Sequence, residues 1–175
     1  MRSITNKFVF PNRAQELFTS LRQILDFVSE NLPFNVDAAA INFKLKVIIT
    51  ELLNNAVKHA GIAETVIHIH VDHQKIKIEK ADFGNAFNPN GLFEKSTGQK
   101  AQLSQDALHC IYAIIEGENF ARFVCEEIDY DRVLDVNNLS EHFGLLIITK
   151  SADEFTYQYD PSSGLNTFTV HLKLL

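Results

Sequence analysis

The chain has 175 residues, 46% of them apolar and 22% charged, which fits one compact domain with its own core and excludes disorder as the default state. A formal net charge of −6 argues against the electropositive surface that grips nucleic-acid backbones. Cys110 and Cys125 show no CxxC spacing, which excludes a disulfide framework or cysteine zinc site and leaves reduced thiols as the expectation. The N-terminus MRSITNKFVF lacks a signal-peptide core, and no apolar run approaches the roughly 20 residues of a membrane helix. A cytoplasmic protein with neither nucleic acid nor membrane as partner is expected.

In chain order, TNKFVF reads as a strand closed by Pro11. A helix follows, with Asn12 and Gln15 as its capping pair and Leu17, Leu21, Ile24 and Val28 as its apolar stripe. A second, longer helix is expected from near Asn35 to Asp37 until Gly61, a residue able to take the left-handed conformation after a helix end. TVIHIHV and KIKIEKA alternate as strands do and are separated by Asp72, His73 and Gln74, the turn of a hairpin. From residue 90 to 141 the pattern is mixed, with an apolar patch (LHCIYAII) and an acidic one. A loop that long is unusual in a compact domain, so one or two helices are expected there, covering a site or forming a partner surface. GLLIITKSA reads as a buried helix, and FTYQYD and NTFTVHLKL as final strands joined by Pro-Ser-Ser-Gly. This order implies a single α+β domain, a two-layer sandwich with helices on one face of a mixed, mostly antiparallel sheet.

The long helix carries the first functional signal. At about 100° per residue, Ile41, Leu45, Ile48 and Leu52 form one stripe, and the row Glu51, Asn55, His59 runs within or beside it. Buried unpaired, such groups would cost several kcal/mol, so protein partners, water or a ligand must satisfy them. The second signal is Asp82-Phe-Gly84-Asn-Ala-Phe87-Asn-Pro89, directly after a strand. There the Asp82 carboxylate can accept from an amine and Gly84 lets backbone approach a planar ring. Separately, the first feature also reads as a satisfied buried network and the second as an ordinary turn.

Together, E-x-x-x-N-x-x-K-H at Glu51 to His59, D-x-G-x-x-F-x-P at Asp82 to Pro89, the glycine-leucine helix start Gly144-Leu145, Asp153-Glu154-Phe155 with Tyr157, and Thr167 on the last strand resemble a known order. It is that of the GHKL (Bergerat-fold) ATPase domain of gyrase, histidine kinases, heat-shock chaperones and mismatch-repair proteins, and most nearly of the anti-sigma-factor serine/threonine kinases. The resemblance implies ATP and magnesium as cofactors. It makes Glu51 the general base, Asn55 the magnesium ligand, and Lys58 and His59 neighbours of the phosphates or ribose. Asp82 becomes the acceptor of the adenine amine, supported by Gly84, and Thr167 a further adenine contact; Phe87, Gly144 and Leu145 belong to the same nucleotide-binding set. It further implies a regulatory protein partner, such as a sigma factor or an antagonist, and allows a homodimer.

The chain departs from that pattern in two places. His142 stands where the second glycine box has its first glycine, and the 90–141 segment is longer than a short mobile lid and richer in apolar residues. Lys95, Lys100 and Arg122 are its candidate lid cations. Two readings follow: an ATP-dependent kinase acting on a protein antagonist, or an interaction module, nucleotide-bound or not, that has lost turnover. His68, His70 and His73 lack the convergent carboxylate or cysteine of a metal site and read as a solvent-facing strand edge. Asp82-Phe83-Gly84 lacks the catalytic and glycine-rich loops that accompany that tripeptide in protein kinases.

Overall fold

Alternation of buried and half-exposed positions, clearest in TVIHIHV and KIKIEKAD, lays these segments down as strands with one face to the core. A computed structural model describes residues 3–59, 61, 63–94, 96–106, 108–127 and 143–174. The strands are β1 (Ile4–Pro11), β2 (Glu64–Val71), β3 (Lys75–Asp82), β4 (Lys100–Gln105), β5 (His109–Gly117), β6 (Phe120–Glu127), β7 (Glu154–Asp160) and β8 (Leu165–Lys173). They form one 8-stranded sheet in the order β1-β2-β3-β8-β7-β6-β5-β4, and each described pairing is antiparallel. The helices α1 (Leu17–Asn31), α2 (Ala38–His59) and α3 (Phe143–Ser151) cover one face, the two-layer sandwich expected from the element order.

The expected pattern of α2 holds in detail. Asp37 caps it, its Oδ1 accepting from the N–H groups of Ala39 at 3.1 Å and Ala40 at 3.0 Å. Ile41, Leu45, Ile48, Ile49, Leu52, Leu53 and Ala56 are buried, while Glu51 and Asn55 are half-buried beside that stripe. Past the helix end, Gly61 has φ +64. The β2–β3 turn is held by Asp72, whose Oδ1 accepts from the N–H groups of Gln74 and Lys75; the Gln74 bond is the main cause holding this carboxyl below its ordinary range. The last hairpin turns at Gly164, with φ +72.

Two expectations are corrected. The capping pair at Asn12 and Gln15 gives way to a 3-10 turn over Ala14–Glu16, and neither cap position, Arg13 or Glu16, makes a side-chain cap bond. Among the described residues of 90–141 the expected helices are replaced by a short 3-10 turn (Pro89–Glu94) and the three strands β4, β5 and β6. An apolar run as short as LHCIYAII does not reveal its period, and its β-branched and aromatic residues suit a pleated surface. In β5 Ile111, Ala113 and Ile115 are buried while Tyr112 and Ile114 are half-exposed, and the hairpin to β6 turns at Asn119, φ 54. The segment thus extends the sheet beyond β7 through the β6–β7 pairing. Residues 128–142, and His142 with them, lie outside the described residues.

Among the described residues no helix is long and apolar enough to cross a membrane. Because the Asp37 cap satisfies orphan donors at the start of the helix that carries the site, Asp37→Ala is expected to cost about 1 kcal/mol of stability, read as a lowered urea midpoint at unchanged slope.

Candidate nucleotide site

The sequence-selected residues assemble in two groups on different elements. The first joins α2 to the start of α3. A Cβ placed on Gly144 would lie 2.8 Å from Glu51 Oε2 and 3.5 Å from both amide atoms of Asn55, so glycine is what lets the first turn of α3 approach these side chains. Among the described residues the Glu51 carboxylate and the Asn55 carboxamide have no hydrogen-bonding or ionic partner. Lys58 is exposed on the next turn and His59 ends the helix.

The second group is closed on itself. Residues Ile76, Ile78, Lys80 and Asp82 of β3 all point to the helix-covered face and are buried. The Lys80 ammonium binds Asp82 Oδ2 directly. The other oxygen, Oδ1, accepts from Gly84 N–H at 3.0 Å and from Asn166 Nδ2 at 3.2 Å. Asn166 also donates to the carbonyls of Gly84 and Asn85, and its Oδ1 accepts from the Tyr157 hydroxyl at 2.6 Å. That hydroxyl in turn accepts from Phe87 N–H at 2.8 Å. Aromatic rings fill the space around the network: Tyr157 packs on Phe168 with centroids 4.7 Å apart, edge-on to Phe87 at 5.4 Å, and stacks on Phe93 at 5.9 Å. Thr65, one position beyond the last β2–β3 pair, has a buried hydroxyl that finds no partner among the described residues.

Other expected site residues fall elsewhere. Thr167 pairs with Ala81, whereas Asp82 pairs with Asn166 and Lys80 with Phe168; directly opposed residues share a face, so Thr167 lies on the sheet's outer side and does not reach Asp82. Leu145 is buried in the core of the sandwich. Lys100 and Arg122 are not lid cations: they sit on β4 and β6 and pair with Glu126 and Glu116. Lys95 lies outside the described residues. His70, on the outer side of β2, binds the Thr5 hydroxyl through Nδ1 at 2.8 Å. A separate open cleft of about 400 Å³, lined by His109, Cys125 and Lys150 among others, lies at the other end of α3 from Gly144.

Sequence reasoning passed over Lys80 and gave Asn166 and Tyr157 no role in the site. A signal was present for Lys80: alternation in KIKIEKAD puts it on the same face as Ile76, Ile78 and Asp82. A lysine on a core face needs a partner, and the only acid two residues away on that face is Asp82.

Over residues 14–170 the chain matches the histidine kinase-like ATPase domain, and it belongs to that family. Domains of this family bind ATP with magnesium. No curated protein matches the chain in sequence. Judged by the side chains present, the two groups fit this ligand differently. The half-exposed, unpartnered oxygens of Glu51 and Asn55 beside a helix N-terminus fit a hard cation and phosphates. The Asp82 end does not fit an adenine as it stands, because Asp82 is 5% and Lys80 4% exposed and both carboxylate oxygens already have donors.

Burial pushes the Tyr157 phenol up to about 12, with the Phe87 N–H bond pulling the other way and the Asp82 charge adding to the rise. An unfolded tyrosine ionises near 10, so the folded state prefers the neutral phenol. That contribution is complete below about pH 10 and is lost as pH rises through about 12, by roughly 2–3 kcal/mol in all. Tyr157→Phe is expected to cost about 1–3 kcal/mol at neutral pH by removing the partner of Asn166 Oδ1 and Phe87 N–H. Urea unfolding of both proteins should show the gap between them narrowing from about pH 9 to about pH 12; a constant gap would mean that the hydroxyl does not carry the effect.

Proposed function

We infer that the chain is a magnesium- and ATP-dependent regulatory protein, a serine/threonine protein kinase of the anti-sigma-factor type that acts on a protein antagonist. The observation that carries this reading is the pair Glu51 and Asn55, polar side chains beside an apolar stripe, without partners among the described residues and approached by the N-terminal turn of α3 at Gly144. Asn55 would hold magnesium through its carboxamide oxygen, a hard donor suited to that ion. Glu51 would take the proton of the attacking hydroxyl, a role open to a carboxylate that no cation among the described residues already neutralises. The first amides of α3 would face the phosphates. Bound Mg·ATP supplies the phosphoryl group and much of the charge neutralisation; the chain supplies position. The partner is a regulatory protein, a sigma factor or its antagonist.

A second reading, an interaction module without phosphoryl transfer, is favoured by one observation: the Lys80 ammonium occupies the carboxylate that an adenine amine would use.

Calorimetry with and without magnesium tests the metal end. Asn55→Ala is expected to weaken magnesium-dependent ATP binding by at least about tenfold, and nucleotide binding that ignores magnesium would defeat the reading of Asn55 as a magnesium ligand. Glu51→Gln is expected to keep that binding while labelled-phosphate transfer to an antagonist domain falls by about 10²- to 10⁴-fold; transfer absent from wild type too favours the second reading. Gly144→Ala should resemble Glu51→Gln. The new methyl meets the movable end of Glu51, while alanine's helix propensity adds up to about 1 kcal/mol over glycine, so thermal melting should show the fold retained.

A further inference from the structure

We propose that Lys80 is an internal occupant of the base end of this site, and that it leaves the protein reading triphosphate and magnesium without reading the base. The proposal rests on the assignment of this site to a nucleotide and concerns its Asp82 end alone.

An adenine is read by giving its exocyclic amine to a carboxylate in a dry pocket, and Asp82 is the carboxylate at this position. Its Oδ2 is taken by the Lys80 ammonium and its Oδ1 by Gly84 N–H and Asn166 Nδ2. Of the carboxylate's roughly four lone-pair sites three are taken and the last lies on Oδ2 beside the ammonium, so an incoming amine has to compete with a buried ion pair. It would then replace a charge-assisted bond by a neutral donor, an exchange that loses strength. The ammonium is held from three sides. Lys80 lies between Ile67 of β2 and Phe168 of β8 in the sheet register, its Nζ sits 5.3 Å from the centroid of the Phe168 ring, and the side chain is almost wholly buried. The Thr65 hydroxyl is buried on the same face and has no partner among the described residues.

Among the described residues nothing equivalent blocks the other end. Glu51 and Asn55 have no partner among the described residues, so phosphate and metal can be held while the base is not. Discrimination is a difference of affinities, and a pocket that cannot accept the amine has none to offer between adenine and another base.

The test uses adenosine, which lacks phosphates and reports on the base end independently of magnesium, Glu51 and Asn55. In the wild-type chain ATP and GTP should bind within about threefold of one another, and adenosine no more tightly than cytidine. Lys80→Met removes the occupant and keeps a stem of similar length; adenosine binding by calorimetry should then tighten at least about tenfold, and ATP should gain a similar preference over GTP. Because a lone buried carboxylate can unfold the variant, Lys80→Met combined with Asp82→Asn supplies a neutral pocket whose carboxamide oxygen still accepts the amine. A gain in either folded variant supports the proposal. It is overturned if wild type already prefers adenosine and ATP by about tenfold or more, or if the folded variants bind adenosine no better than wild type. Loss of magnesium-dependent triphosphate binding in wild type would strike the proposed function and leave this comparison of adenosine affinities intact.

Discussion

A carboxylate buried between a sheet and the helices covering it cannot be left alone. Removing water from such a group costs several kcal/mol even after the protein relaxes, so its partners become obligatory. Asp82 is that group, and much of the surrounding architecture answers to it. Lys80 comes from the same strand, Asn166 from the strand paired with it, and Gly84 from the turn that follows. Through Asn166 the demand passes to the Tyr157 hydroxyl and from there to the backbone of Phe87. One charge thereby ties β3, β7, β8 and the segment after β3 into a single hydrogen-bonded unit, with aromatic rings closing over it.

Membership of a family and the state of a site are separate matters on this fold. The family fixes where the helix bearing Glu51 and Asn55, the end of β3 and the start of α3 stand. Function depends on the particular side chains at those places. On α2, Glu51 and Asn55 have no partner among the described residues. At the end of β3 a lysine occupies a position on the core face and pairs with the neighbouring aspartate. The contrast arises within one strand register, since Asp82 and Lys80 are two residues apart on the same face.

The residues between the two boxes make a similar point about architecture. Among the described residues they lengthen the sheet, with β6 pairing to β7 over Phe120 to Arg122 and β5 and β4 following outward. This takes Lys100 and Arg122 into strands, where glutamates neutralise them, and brings Phe123 against Phe155 and Phe87 in the interior.

Much of the fold was written locally. Period-2 alternation specified both flanking hairpins, helical periodicity specified α2, and the turn residues Asp72 and Gly164 did what their chemistry suits them for. The pairing of Glu51 with Asn55 was equally legible, because the two sit one helical turn apart and their misfit with the apolar stripe needs no knowledge of any other element. What tertiary structure decided was every relation between strands: that LHCIYAII pairs as β5 instead of coiling, that Asn166 and not Thr167 faces Asp82, and that Lys80 closes on that aspartate. Those outcomes depend on which strand lies beside which and in what register. A slip of one residue turns every side chain to the opposite face, so only the assembled sheet could select them.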